Sequence, residues 1–303
     1  CMLFFDCSSR ASMNCLIESV AKVLNFPGGC MQILVHTPTV LVVSTLRTPL
    51  DGANINSAVK NSYWRVSVVD VTGSTHNDLV LLARNGKANH GDVIVAEFQT
   101  HGRGRLDRTF ESPSHSALLF SMYIQPQIDV NDWGWLALLA GMATSNAIAA
   151  TNIFGLNKQP QLKWPNDVLI GDKKVSGILA ERIDTEGVVI GIGINVSTTL
   201  EELPVTTATS LAIESGTPWD RNLLLVKILE EFAETIKRWE AKDVTLSSQY
   251  LKMSATVGRQ VRIQAPDGNS LESQAVGIDA NGSLVLRSGE HVSVGDVVHL
   301  HAN

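Results

Sequence analysis

The chain has 303 residues, which is enough for about two domains at roughly 150 residues per domain. Hydrophobic residues make up 44% of it and charged residues 18%, and this composition excludes a disulfide-stapled miniprotein and a disordered chain. The formal net charge of −6 excludes a positive field over the whole molecule, so any polyanion must be bound by a local cluster of cations.

The first 46 residues differ in character from the rest of the chain. They contain all four cysteines, Cys1, Cys7, Cys15 and Cys30, and show no sustained helical or strand periodicity. We interpret residues 1–46 as an N-terminal extension. Cysteine usage of this kind favours a reducing cytoplasm, and the absence of an apolar run of about 20 residues predicts no membrane span.

Regular patterns begin near residue 64, where short β-branched runs bounded by turn residues predict strands. Those in the first part of the chain are 65–71, 93–98 and 117–124. Helical spacing of apolar residues predicts helices over 77–86 and 132–150. Next come a short apolar segment at 161–164 and strands at 168–170, 174–182 and 188–196, and the tight turns between these consecutive strands predict antiparallel pairing.

The C-terminal half continues with one strongly amphipathic helix. The order Thr217, Pro218, Asp220 is typical of a helix start, and apolar residues follow at helical spacing as far as Trp239. The last fifty residues contain four short strands, at 257–265, 271–278, 283–286 and 297–301. Their spacing predicts a small β-barrel or SH3-like domain.

The segment QTHGRGRLDR, residues 99–108, has a composition suited to binding phosphate. Arg103, Arg105 and Arg108 alternate with glycines that let backbone amides approach a ligand closely. The spacing is neither that of a P-loop nor that of a dinucleotide fingerprint. The alternative interpretation is a solvated basic loop.

A second segment, KWPNDVLIGDKKVSGILAE at 163–181, places Lys163 beside a tryptophan and a proline. Lys163 is either an ordinary lysine lying along apolar surface or a held cation. Asn166 and Asp167 are either turn formers or a polar pair that fixes Lys163 and helps to hold a divalent cation. Gly177 indicates a bulge or a close approach of ligand to backbone.

Two shorter motifs complete the set. GIGINV at 191–196 ends in Asn195, and its glycines are expected to open space for a planar ligand. TGSTHND at 72–78 offers Ser74 and Thr75 between a strand and a helix, where an ordinary helix cap is the simpler interpretation.

The motifs occur in the order GST, GRGR with Arg108 three residues on, KWPND, KVSGILAE and GIGIN. In this order they resemble the motifs of the biotin protein ligases. The resemblance extends over about residues 48–303. It implies an α+β fold, with a mixed, largely antiparallel sheet like that of class II aminoacyl-tRNA synthetases and packed helices. It also implies a catalytic domain at 47–252 and a small SH3-like β-barrel at 253–303.

The resemblance further implies a two-step reaction: biotin and ATP form biotinyl-5'-AMP, and biotin then passes to a lysine of a biotin carboxyl carrier domain. Lys163, Arg103 and Arg105 are the expected catalytic cations, and Asp167 is a candidate Mg²⁺ ligand. The implied biotin-binding positions are Ser74, Thr75, His76, Gln99, Gly102, Arg103, Gly104, Arg105, Lys163 and Gly177. The implied ATP or adenylate positions are Arg103, Arg105, Arg108, Phe110, Asn166, Lys174 and Asn195.

Three positions depart from the family pattern: His76 replaces a common asparagine, Asp107 a glycine and Phe110 a tryptophan. Few basic residues and no recognition-helix pattern occur in residues 1–63, so we expect no DNA binding. A monomer or weak homodimer is expected. The alternatives are a lipoate or octanoate ligase or transferase of the same fold, and a binding module without catalysis.

Overall fold

The computed structural model describes residues 47–60, 62–105, 108–151, 159–264 and 268–300. The predicted extension, residues 1–46, lies outside the described residues. Residues 47–303 form one compact unit. Among the residues described, no helix is both long enough and apolar enough to cross a membrane.

A seven-stranded mixed sheet is the centre of the molecule, in the order β1-β2-β3-β7-β6-β5-β4. Its strands are β1 (Arg65–Thr72), β2 (Asp92–Gln99), β3 (Ala117–Ile124), β4 (Pro160–Lys163), β5 (Asp167–Ile170), β6 (Lys173–Ile183) and β7 (Gly187–Asn195). Only β1 and β2 pair in parallel; the other neighbours are antiparallel. The predicted mixed, largely antiparallel sheet is therefore confirmed.

Helices cover both faces of this sheet, and its central strand β3 is buried along its whole length. On one face lie α1 (Gly52–Ala58), α3 (Leu136–Thr151) and α5 (Arg221–Glu240), which share the main core with alternate residues of β3. On the other face, α2 (Thr75–Arg84) packs against Tyr123 and Val189. That second face also carries the candidate site.

Helix α5 begins later than its sequence pattern predicts. Asp220 is its N-cap, with a carboxylate that accepts hydrogen bonds from the backbone amides of Asn222 and Leu223. Thr217 instead belongs to a separate turn, in which the Ser215 hydroxyl accepts from the Trp219 indole. The acid of the predicted capping pattern is thus the cap itself, because only its side chain reaches the first free amides.

The remaining elements are three short helices, of which the last directly precedes a second sheet. They are a 3₁₀ helix (Val130–Trp135), α4 (Leu211–Ser215) and α6 (Thr245–Met253). The second sheet has five antiparallel strands in the order β11-β10-β9-β8-β12. They are β8 (Gln260–Gln264), β9 (Ser270–Ile278), β10 (Leu284–Leu286), β11 (His291–Val292) and β12 (Asp296–His299).

A buried ion pair anchors the start of the described chain. Arg221 of α5 and Glu97 of β2 lie 2.6 Å apart, and each side chain is 4% exposed. Arg221 also donates to the carbonyls of Ala117 and Thr48. The pair therefore joins the sheet, α5 and the segment before α1.

Candidate active site

One row of paired residues runs across four strands on the α2 face of the first sheet. Lys163 pairs with Asp167, Asp167 with Gly177, and Gly177 with Gly193. Residues paired directly across strands point to the same face, and neighbouring strands are about 4.8 Å apart. The Cα atoms of Lys163 and Gly193 are therefore about 14 Å apart, at opposite ends of this row.

A bulge in the β5–β6 pairing brings a second lysine to this row. The register shifts between Val168 and Leu169, so that Lys174 shares a face with Gly177 although the two are three positions apart in the strand. The Lys174 ammonium forms a 2.6 Å ion pair with Asp167. Bulges next to active sites commonly redirect a side chain in this way. The sequence predicts at Gly177 a bulge or a close approach of ligand to backbone: the structure has a bulge next to it, and the Lys174 side chain lies over its Cα, where a Cβ would be 2.9 Å from the Lys174 ammonium.

A cavity of about 250 Å³ covers this row at the Lys163 end. Its lining includes the three arginines of the loop, the KWPND turn, Lys174, Gly177 and residues of β12. Burial lowers the pKa of the Lys163 ammonium from its ordinary value, Lys174 acts in the same direction, and Asp167 opposes both. Lys163 is therefore a partly desolvated cation among other cations, an environment suited to an anionic ligand.

The loop that carries Arg103, Arg105 and Arg108, here called the arginine loop, folds back on itself over the cavity. The Gly102 carbonyl accepts from the Phe110 amide at 2.9 Å, and the Gly104 amide donates to the Arg108 carbonyl at 2.7 Å. A Cβ at Gly102 would lie 2.3 Å from the Phe110 carbonyl oxygen, so only glycine fits there. Residues 102–104 and 108–110 are therefore paired antiparallel.

The three arginines of this loop have different partners. Arg105 is half-buried and donates to the Asn166 side chain at 3.1 Å and to the Gly295 carbonyl at 3.4 Å. Arg108 pairs with Asp296 of β12. Arg103 instead reaches the α2 side, where it donates to the Asn77 side chain at 2.8 Å and lies 3.5 Å from Glu181. The loop therefore contacts both ends of the row.

The glycines of the GIGIN strand provide space, but protein side chains use it. A Cβ at Gly193 would lie 2.8 Å from the Phe110 ring, and one at Gly191 would lie 2.9 Å from Nδ1 of His76. The expectation that they open space for a planar ligand is thus corrected: they admit two side chains that themselves face the site. Phe110 also lines the cavity.

A buried polar cluster lies at the other end of the row, outside the cavity lining. Ser74 caps α2, which confirms the simpler interpretation of the TGSTHND motif. Gln99 accepts from the Thr75 amide at 2.7 Å, and the Thr75 hydroxyl lies 2.9 Å from that of Ser121. His76 is 3% exposed. The cap uses the Ser74 hydroxyl oxygen as an acceptor from the Asn77 amide, which leaves its O–H as a donor.

Two predicted positions are placed differently from the rest. Asn195 is buried and donates to the Thr209 carbonyl at 3.0 Å, and it does not line the described cavity. Asp107, one of the departures from the family pattern, lies outside the described residues. Asp296, Glu181 and Ser121 were missed by sequence reasoning, because nothing in the local pattern shows that distant segments meet at the row.

Two protein-family models match this chain. Residues 68–195 match the Biotin/lipoate A/B protein ligase family, and residues 256–300 match the Biotin protein ligase C terminal domain. A biotin–[acetyl-CoA-carboxylase] ligase of Mycobacterium tuberculosis is 37% identical over 84% of this chain and 97% of its own length. The bifunctional ligase/repressor BirA of Bacillus subtilis is 33% identical over 74% of this chain and 69% of its own.

A solved structure with a similar fold is also that of a biotin protein ligase. A biotin protein ligase from Aquifex aeolicus, solved in complex with biotin and ATP, has a TM-score of 0.65 and 28% identity; the match covers 78% of this chain and 99% of that one. This chain belongs to the biotin protein ligase family. The predicted α+β fold with a C-terminal SH3-like β domain is confirmed.

Proposed function

We propose that the protein is a biotin–[biotin carboxyl-carrier protein] ligase, which transfers biotin to a carrier lysine of acetyl-CoA carboxylase or a related carboxylase. The observation that carries this proposal is that Lys163 and the loop arginines line one cavity, at one end of a row whose other end is a buried polar cluster. Such a row suits an acid with a polar head and a distant carboxylate. The matched C-terminal domain favours biotin over lipoate or octanoate, since the first family model covers both kinds of ligase.

In the first step, a carboxylate oxygen of biotin attacks the α-phosphorus of ATP. A P–O bond forms to the carboxylate, the bond to the β-phosphate oxygen breaks, and pyrophosphate leaves with the electron pair. Two anions meet in this step, so fixed cations aimed at the developing charge lower the barrier. Lys163, Arg105 and Lys174 supply them.

In the second step, the amine of a carrier lysine attacks the acyl carbon of biotinyl-5'-AMP. An amide forms, AMP leaves and the amine loses a proton. The loop at 102–105 would cover the adenylate and keep out water until the carrier arrives. Arg108 and Phe110, which line the same cavity, are the proposed neighbours of the nucleotide.

Mg²⁺ is the proposed third component. Among the described residues, no group of three or more His, Cys, Asp or Glu side chains could hold a metal ion. Mg²⁺ bound to nucleotides commonly takes one or two carboxylates and completes its shell with phosphates and water, so the single carboxylate of Asp167 fits. Mg²⁺ bound to Asp167 would neutralise phosphate charge, after Lys174 has moved away from the Asp167 oxygen that it contacts.

The remaining parts of the proposal are a cytoplasmic location, a monomer or weak homodimer, and no binding of DNA or membrane. The location and the lack of DNA and membrane binding rest on the composition, charge and cysteine usage discussed above. A salt-dependent gel shift tests the expectation on DNA binding. Measurement of the molecular mass in solution by light scattering tests the expected monomer or weak homodimer.

The decisive experiment is ATP–pyrophosphate exchange by the purified protein with Mg²⁺ and one acid at a time. Exchange with biotin alone supports the proposal. Exchange with lipoate or octanoate would assign the alternative substrate class. No exchange with any of the acids would contradict ligase activity and favour a binding module.

A further inference from the structure

The buried histidine at the polar end of the row has one bonded nitrogen and one open nitrogen. His76 Nε2 lies 3.3 Å from the Glu181 carboxylate. Burial lowers the pKa of His76, and Glu181 only partly opposes this effect. Neutral imidazole has a single N–H, and an ionised carboxylate can only accept, so the proton belongs on Nε2.

Nδ1 is consequently a bare acceptor. It is buried and has no hydrogen-bond partner among the described residues. Gly191 keeps the space beside it clear, because a Cβ there would lie 2.9 Å from Nδ1 and 3.2 Å from the Ser121 hydroxyl. A buried acceptor without a partner is unfavourable, and an N–H donor of a ligand would satisfy it.

Glu181 also contacts two arginines. Its carboxylate lies 3.0 Å from Arg84 at the end of α2 and 3.5 Å from Arg103 of the loop. These two cations and Glu181 are the charged groups that surround His76 among the described residues. One carboxylate therefore contacts both the histidine and the loop arginine.

We propose that Glu181 is a positioning residue for acid binding: it holds His76 as the Nε2–H tautomer, so that Nδ1 accepts a hydrogen bond from an N–H group of the bound acid. This inference rests on the proposed function, in which the donor is a ureido N–H of biotin. A thiolane or dithiolane acid without an N–H cannot make this bond, so the device selects for a cyclic urea.

The test compares Glu181→Gln with the matched control Glu186→Gln, an exposed glutamate of the following turn. An amide can donate as well as accept, so it no longer dictates the His76 tautomer. Losing one ligand hydrogen bond predicts a KM for biotin about fivefold to tenfold higher, with kcat within about twofold. The control should match the wild type. A KM within twofold of wild type for Glu181→Gln would overturn the proposal.

Two further measurements separate positioning from a structural effect. In ligand-free protein, ¹⁵N NMR should show His76 protonated at Nε2 in the wild type and a tautomer mixture in Glu181→Gln. In a His76→Leu background, Glu181→Gln should no longer change the KM for biotin, because both act through one nitrogen. Additive effects, or an Nδ1–H tautomer in the wild type, would overturn the proposal.

These readouts also distinguish the two levels of inference. Absence of biotin-dependent exchange by the wild type contradicts the proposed function. The tautomer measurement needs no substrate and tests Glu181 by itself.

Discussion

Lys174 and Gly177 share one face of the first sheet although they lie three residues apart in β6, because the pairing with β5 shifts register between them. The shift brings the Lys174 ammonium to within 2.6 Å of Asp167 and onto the row that ends at Lys163. A regular strand would point Lys174 to the opposite face.

Gly177→Ala tests this arrangement. The new Cβ would lie 2.9 Å from the Lys174 ammonium and would displace it from Asp167. We expect the KM for ATP to rise about fivefold to tenfold, as for one lost charge-assisted hydrogen bond, with little change in stability. Gly277→Ala, which meets nothing within 4 Å, is the matched control. A KM unchanged in Gly177→Ala would show that the Lys174 position is unimportant for the nucleotide.

Lys163→Met should lower the rate of biotin-dependent ATP–pyrophosphate exchange by about 10² to 10³, the cost of losing one preorganised charge-stabilising donor. Lys173→Met removes an exposed lysine at the start of β6 and should leave the rate unchanged. Equal rates for both variants would contradict the role of Lys163.

Arg105→Gly should release the acyl adenylate more readily than Arg103→Gly. Arg105 ties the loop to Asn166 and to the Gly295 carbonyl, whereas Arg103 has its partners at the polar end. A loop that no longer closes cannot exclude water. Quantifying adenylate released into solution, against adenylate retained on the protein, measures this; equal release by the two variants would show that the Asn166 contact does not hold the loop.

Glu97→Gln should destabilise the protein by about 3 to 5 kcal/mol, because it leaves the buried Arg221 guanidinium without a counter-charge. Glu230→Gln breaks an exposed ion pair with Lys227 and should cost less than about 1 kcal/mol. Urea unfolding followed by fluorescence measures both, and similar losses for the two variants would contradict the importance of burial.

Acidification should weaken the fold through His76. Burial lowers the pKa of His76 in the folded protein. Below the ordinary value of about 6.5, His76 is therefore protonated in the unfolded chain while it is still neutral in the folded protein. The contribution of neutral His76 is present above that pH and is lost as the pH falls toward its lowered pKa in the folded protein. His76→Gln should show a shallower loss of unfolding free energy between pH 7 and 5; an unchanged slope would contradict the assignment.

Local patterns predicted most of the strands and several site residues. The runs at 65–71 and 117–124 correspond to β1 and β3, and Ser74 caps α2 as its motif indicates. KWPND and GRGR identified Lys163 and the loop arginines because each motif is contiguous in the chain. The start of α5 was predicted too early, since Thr217 and Asp220 are both good caps and only the folded turn decides between them.

The sequence by itself determined which cations, glycines and hydroxyls the site contains, because residue type and neighbours are local properties. Only the tertiary structure decided that Glu181 meets His76, that Asp296 meets Arg108, and that Gly191 and Gly193 admit side chains of the protein. These contacts join positions that are far apart in the chain. They arise from strand register, one bulge and the approach of the second sheet, which depend on the packing of the whole core and leave no mark in any single segment.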